Sequence, residues 1–193
     1  MEKKNKYVKQ MNKLVARRRY EELAVYCKQV ISEMLDPVLI SETVEKMLEI
    51  IGLLIDNGLF ETAFKICEEI RKYVYADMIS PALADRYYQI YNRSDDEYLR
   101  IQCISHLVRT GNPVYQMDLA MHFRNGEGIM ASQAGAAFWL RKAAFAGLAS
   151  ARYELGRAYR DGLGVTRSEE KARYWFELAG MEEKQQVETP GIL

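Results

Sequence analysis

The sequence predicts an all-α chain, a right-handed α-solenoid of about five helical hairpins, and three observations carry that prediction. A block near the C-terminus repeats at a register of 36 residues. Both tryptophans of the chain, Trp139 and Trp175, occupy the same position in that repeat. Upstream, apolar residues recur at helical spacing rather than alternating as in a strand.

The repeat is explicit residue by residue. Leu119 falls on Leu155, Phe123 on Tyr159, Gly126 and Gly128 on Gly162 and Gly164, and Ile129 on Val165. Ala136 falls on Ala172, Trp139 on Trp175 and Ala143 on Ala179. Each copy reads as helix–turn–helix. In the second, Ala151, Leu155, Ala158 and Tyr159 share one helical face. Asp161-Gly162-Leu163-Gly164 supplies a turn with two positions free to adopt positive φ. Thr166-Arg167-Ser168-Glu169 then fits a capping box that opens the second helix. Ala172, Trp175 and Ala179 form its apolar stripe. One such hairpin cannot bury its own apolar face, so neighbours must stack.

These residues resemble the Sel-one-like repeat (SLR) family, a relative of the tetratricopeptide repeat (TPR). The family pattern is met at Ala151, Leu155-Gly156, Tyr159, Gly162, Gly164-Val165, Lys171-Ala172, Trp175 and Ala179. The copy at 114–147 departs from it at Tyr115, Ala120 and Gly135, which replace alanine, glycine and lysine. Ser132 and Ser168 stand where the family carries an acidic residue after the turn.

The upstream elements follow in order. Tyr7, Val8, Met11, Leu14 and Val15 make one helical stripe. Tyr20, Leu23, Ala24, Cys27, Val30, Ile31 and Met34 make the next, after the polar break Arg17-Arg18-Arg19. "RYEELAVYCKQVI" has the look of a second TPR helix, and "LFETAFKICEEI" repeats it 40 residues on, after the Asn57-Gly58 turn. Ser80-Pro81 reads as N-cap and first helical position, and Asn112-Pro113 opens the next hairpin in the same way. Tyr87, Tyr88, Ile90 and Tyr91 mark the first helix between these signals, and Tyr98, Leu99, Ile104 and Leu107 the second. The expected organisation is therefore degenerate TPR-like hairpins over 1–110, two SLR units over 111–183, and a frayed tail over 184–193 containing Pro190-Gly191.

Composition bounds the function. The 193 residues are 49% hydrophobic and 28% charged, with formal net charge zero, as expected of a folded chain that is not a polyanion binder as a whole. Charge follows Met1, and no apolar run reaches the roughly 20 residues that span a bilayer, so a cytoplasmic protein without membrane insertion is expected.

The chemistry-bearing candidates reduce to structure. Gly162-x-Gly164 lacks the preceding strand, the following Lys-Ser/Thr and the third glycine that phosphate loops require. Cys27, Cys67 and Cys103 are spaced by 40 and 36 residues, repeat periods rather than metal-ligand spacings, and fall on apolar stripes. They read as buried thiols. His106 and His122 lie on different hairpins, and His122 suits a packing or surface role. Adjacent acidic pairs such as Glu68-Glu69 diverge on a helix. No enzyme, metal, cofactor or small-molecule substrate is expected.

What remains is a surface. The resemblance implies that the first helix of each hairpin lines a concave face that binds a protein or peptide partner. Carried over by position, that face holds Leu48, Ile55, Tyr88, Tyr91, Met117, Met121, Arg124, Tyr153, Arg157 and Arg160. It is aromatic and apolar toward the N-terminal half and basic toward the C-terminal half, which suits an acidic, partly hydrophobic peptide or helix. Val8 and Leu48 stand where a clamp for a terminal carboxylate would need polar groups. A second feature is the basic segment. Lys6, Lys9, Lys13 and Arg17 share one helical face, and residues 1–20 hold eight Lys/Arg against Glu2 alone. An anionic partner such as nucleic acid is the alternative reading of that face; a solvated face of a terminal helix is the plainer one.

Overall fold

A computed structural model of the chain describes residues 2–33, 37–74 and 80–180. The chain divides into two compact units, Met1–Thr110 and Gly111–Leu193. The described residues are all-helical, with ten α-helices and no strand among them, and consecutive hairpins stack within each unit in the manner of an α-solenoid. No helix among the described residues is long and apolar enough to cross a membrane. The tail expected over 184–193 lies outside the described residues.

The first unit holds α1 (Glu2–Ala16), α2 (Tyr20–Glu33), α3 (Pro37–Asp56), α4 (Phe60–Val74), α5 (Pro81–Arg93), α6 (Glu97–Leu107) and a 3-10 turn at Val108–Thr110. Like helices stack on like: α1 on α3, α2 on α4, and α3 on α5. The signals that start and stop these helices act locally. The arginine break after α1 turns through Arg18 at φ 55, a left-handed conformation rare for a side-chain-bearing residue. Gly58, at φ 74, closes α3. The Ser80 hydroxyl accepts from the Leu83 N–H at 3.2 Å, with Pro81 at the first helical position. Asp96 Oδ1 accepts from the N–H groups of Tyr98 and Leu99 at the start of α6. Met11, Leu23, Ile51, Ile66, Leu83 and Ile104 are fully buried between the layers. Tyr98, expected on the α6 stripe with Leu99, is instead 68% exposed. It sits in the first turn, on the side away from Leu99 and Cys103.

The second unit holds α7 (Pro113–Asn125), α8 (Gln133–Phe145), α9 (Ala149–Asp161) and α10 (Glu169–Leu178). Asn112 caps α7 by accepting from the Val114 N–H at 2.9 Å. α7 packs on α8, α9 on α10, and α8 bridges the hairpins by packing on α9. Ala120, Leu140, Ala143, Ala144, Ala151, Leu155 and Trp175 form one core cluster, against which Trp139 and Tyr159 pack partly buried. Small side chains let the helices approach, and the indoles fill the remaining space.

The helix-starting signal in the second repeat lies two residues later than the capping-box reading placed it. Ser168, not Thr166, is the N-cap of α10, and its hydroxyl accepts from the Lys171 N–H at 3.3 Å. Ser132 does the same for α8, accepting from Gly135 N–H at 3.0 Å. Each serine N–H also reaches back across the turn, to the Phe123 carbonyl at 2.7 Å and the Tyr159 carbonyl at 2.9 Å. The chain needs the residues up to 167 to complete that return, so the helix cannot start sooner. The departure from an acidic residue at these two positions is thereby explained, because aspartate and serine cap equally well.

Candidate partner-binding cleft

The repeat places two αL glycines at equivalent helix ends. Gly126 closes α7 at φ 75 and Gly162 closes α9 at φ 73. Gly164, at φ 70, has a further constraint. A Cβ there would lie 1.9 Å from the Gln133 carbonyl oxygen and 2.7 Å from the Ala134 nitrogen. The turn of the second repeat therefore lies backbone-to-backbone on the first turn of α8, and only glycine permits that approach. Leu163, held between the two glycines, is carried to the mouth of a cleft.

That cleft has a volume of about 230 Å³ and lies wholly within the second unit, between α7, α8 and α9. Ala136, Ala137, Leu140, Ala158 and Leu163 make its apolar wall. Arg124 from the last turn of α7 and Arg157 from α9 make its charged side, with Glu154 between them. Glu154 Oε2 accepts from Arg124 Nη1 at 2.8 Å, and its Oε1 accepts from Arg157 Nη1 at 3.3 Å. The glutamate side chain is 18% exposed, against 36% and 45% for the arginines, so the carboxylate sits behind two guanidinium groups that face solvent.

The other expected face residues of this unit take different roles. Met117 and Met121 are partly buried against the core cluster, and Met117 Sδ accepts from the Ser150 hydroxyl at 3.1 Å. Tyr153 packs its ring on Phe176, centroids 5.5 Å apart. Arg160 pairs with Asp161 at 2.9 Å, and that hydrogen bond holds the Asp161 carboxyl below its ordinary range.

In the first unit, three residues expected on the partner face are core residues. Ile55 is 0% exposed, Tyr91 7% and Leu48 9%. α3 packs on α1, α4 and α5, and α5 on α3, α4 and α6, so apolar spacing reported burial rather than a binding stripe. Tyr88 is exposed. Lys6, Lys9, Lys13 and Arg17 are all exposed, opposite the buried Met11 and Leu14, and Arg17 lies just past the end of α1.

The thiols of Cys27, Cys67 and Cys103 are buried on α2, α4 and α6. Burial pushes Cys27 up to about 12 and the other two higher as well. His122 is buried, with Nδ1 3.0 Å from the Glu127 carbonyl oxygen.

One cluster was missed by sequence reasoning. Glu68 on α4 accepts from the Tyr87 hydroxyl at 2.6 Å, lies 2.9 Å from His106 Nε2, and pairs with Arg71 at 2.8 Å. Tyr87 stacks on the His106 ring, centroids 4.8 Å apart, and Phe64 packs edge-on against Tyr87. Burial pushes the Glu68 carboxyl upward, but hydrogen bonds from His106, Arg71 and Tyr87 outweigh it and hold the group well below the carboxylate range. Burial drives the Tyr87 phenol far up. The only signal in the sequence was a tyrosine and a histidine on otherwise apolar faces. The arrangement ties α4, α5 and α6 together through one satisfied carboxylate.

Comparison with known proteins agrees with the repeat. The Sel1 repeat family matches residues 113–147 and 149–183. A crystal structure of a Sel1 repeat protein from Oxalobacter formigenes is similar at 27% identity and a TM-score of 0.49, over 60% of this chain and 88% of that one. The crystal structure of c5321, a protective antigen present in uropathogenic Escherichia coli strains and displaying an SLR fold, is similar at 23% identity and a TM-score of 0.49. That similarity covers 82% of this chain and 37% of the antigen. No curated protein matches the sequence. Sel1 repeats generally mediate protein–protein contacts.

Proposed function

We propose, from the premise that residues 113–147 and 149–183 are two Sel1 repeats, that this chain is a non-enzymatic interaction scaffold that takes a protein or peptide partner on its second unit. The observation that carries the reading is the cleft built by both repeats together. Its walls come from α7, α8 and α9, and its rim from the turn that Gly164 seats on α8. Neither repeat alone forms it. Rigid helices hold its polar groups, and an open apolar floor beside them is the usual composition of a recognition surface.

The reading assigns Arg124 and Arg157 as the polar contacts and Leu163 as an apolar one. Met117 and Met121 pack against the core cluster that includes Leu140 of the wall, and Tyr153 and Arg160 lie on α9 with Arg157. The test is a photo-crosslinking amino acid placed at position 163, and at position 145 on α8 as control, in the full chain expressed in its host. A discrete crosslinked protein from position 163, absent from 145 and lost with Arg157→Glu, is expected. Equal crosslinking from both positions would remove the cleft from the account.

A further inference from the structure

We propose that the cleft between α7, α8 and α9 is a receptor for a carboxylate side chain, so that the partner is an acidic extended segment. This deepens the reading of the second unit as the partner surface and rests on it.

Size comes first. A volume of about 230 Å³ falls below the roughly 300–1,000 Å³ of small-molecule and cofactor sites. It fits a side chain of a longer ligand rather than a whole small molecule. Charge comes next. Two guanidinium groups face one carboxylate in the cleft, which leaves a single positive charge. The neighbouring Arg160–Asp161 pair cancels itself. A guanidinium carries five N–H donors in a planar fork, and Glu154 engages one donor of each. The exposed parts of both forks are left for an acceptor arriving from solvent, and a planar carboxylate matches that geometry with two parallel hydrogen bonds.

The wall explains why such a contact gains strength here. Ala136, Ala137, Leu140 and Ala158 exclude water from one side, and a lower local dielectric strengthens the ion pair. Leu163, 43% exposed at the rim, offers contact to an apolar residue next to the acidic one. A monoanion balances the single charge. A phosphate dianion would exceed it, so a carboxylate is the better fit.

Glu154 makes the idea testable, because it occupies the place a ligand would want. Removing its charge while keeping its shape leaves the cleft with two uncompensated positive groups, and binding should tighten. A merely structural Glu154 would give the opposite result.

The experiment uses the full chain labelled with nitrogen-15 and three synthetic peptides, acetyl-Ala-Leu-X-Leu-Ala-amide, with X as glutamate, glutamine or phosphoserine. The glutamate peptide is expected to shift the side-chain Nε–H signals of Arg124 and Arg157 and backbone amides within 133–140 and 154–163. The glutamine peptide should bind at least tenfold more weakly. Arg157→Gln should abolish the response, Glu154→Gln should tighten it several-fold, and added salt should weaken it. Tryptophan fluorescence melts of both variants, reporting on Trp139 and Trp175, establish that the unit is folded.

Equal binding of the glutamate and glutamine peptides in the cleft would overturn the carboxylate proposal and leave the partner surface standing. Tighter binding of the phosphoserine peptide would overturn it in favour of a phosphate. Shifts confined to other surfaces, no shifts at all, or weaker binding by Glu154→Gln would each overturn it too.

Discussion

Gly164→Ala tests the geometry that builds the cleft. Two costs add at this position. The φ of 70° is left-handed, and an alanine there costs about 1–2 kcal/mol. Its Cβ would also sit 1.9 Å from the Gln133 carbonyl oxygen and 2.2 Å from its carbon. Both are backbone atoms of the first turn of α8, so no side-chain rotation relieves the overlap, and forcing the turn away costs about 1–3 kcal/mol more. Gly162 is the internal control. Its φ of 73° is the same, but the nearest atom a Cβ would meet there is 3.5 Å away, an ordinary contact. Gly162→Ala should therefore lose only the conformational part, about 1–2 kcal/mol. Both tryptophans lie in the second unit, so urea unfolding followed by tryptophan fluorescence reads this unit selectively. The expected order is wild type, then Gly162→Ala, then Gly164→Ala, with the two variants separated by at least about 1 kcal/mol. Equal losses would refute the backbone contact between the turn and α8.

Further outcomes follow from the same geometry. Ser168→Ala should destabilise the second unit by about 1 kcal/mol, whereas Thr166→Ala should change it by less than about 0.5 kcal/mol; the same urea assay decides, and the reverse order would restore the earlier capping position. Gly156→Ala should be unfavourable despite the better helix propensity of alanine, because its Cβ would lie 2.7 Å from the Phe176 ring. Adding Phe176→Leu should recover most of the loss, since the first repeat pairs the equivalent residues Ala120 and Leu140 in one cluster. Glu68→Gln should cost about 2 kcal/mol of first-unit stability by leaving His106 and Arg71 without their shared charge. The Glu68 carboxyl is held below its ordinary 4.5 in the folded state, so its contribution is full above that pH and is lost as pH falls below it. Circular-dichroism melts at falling pH should show that loss in wild type and not in Glu68→Gln; parallel profiles would contradict the network.

The second unit was legible in the sequence because its constraints are local and occur twice. Gly162, Gly164 and Trp175 each answer to a turn or a hairpin, and a 36-residue register exposes such positions directly, whereas the cap fell on Ser168 and not on Thr166. One departure of the first copy is a paired one. Gly135, in place of Lys171, makes room for Phe123, whose ring would lie 2.8 Å from a Cβ there, while Lys171 Nζ instead lies over the Tyr159 ring at 5.4 Å. The sequence shows both changes, but only the packing shows that they answer one another.

The candidate site was legible in part. Arg124 and Arg157 could be placed on first helices by register alone. Glu154, Leu163 and Gln133 could not, because the cleft arises where the turn of one repeat meets the second helix of the other. In the first unit the period of apolar residues marked which helices exist but not which stripe faces solvent, and Leu48, Ile55 and Tyr91, expected on the partner face, are buried. The Glu68 cluster joins residues 19 and 38 positions apart on three helices, and no spacing rule of a single helix detects such a meeting.

The central claim is that the partner sits in the cleft made by the two Sel1 repeats. Amide hydrogen exchange of the full chain, free and bound to the protein captured from position 163, tests it most directly. The account predicts slowed exchange in residues 133–140 and 154–163 on binding, with little change over 1–110. Protection confined to the first unit, or to α10, would contradict it.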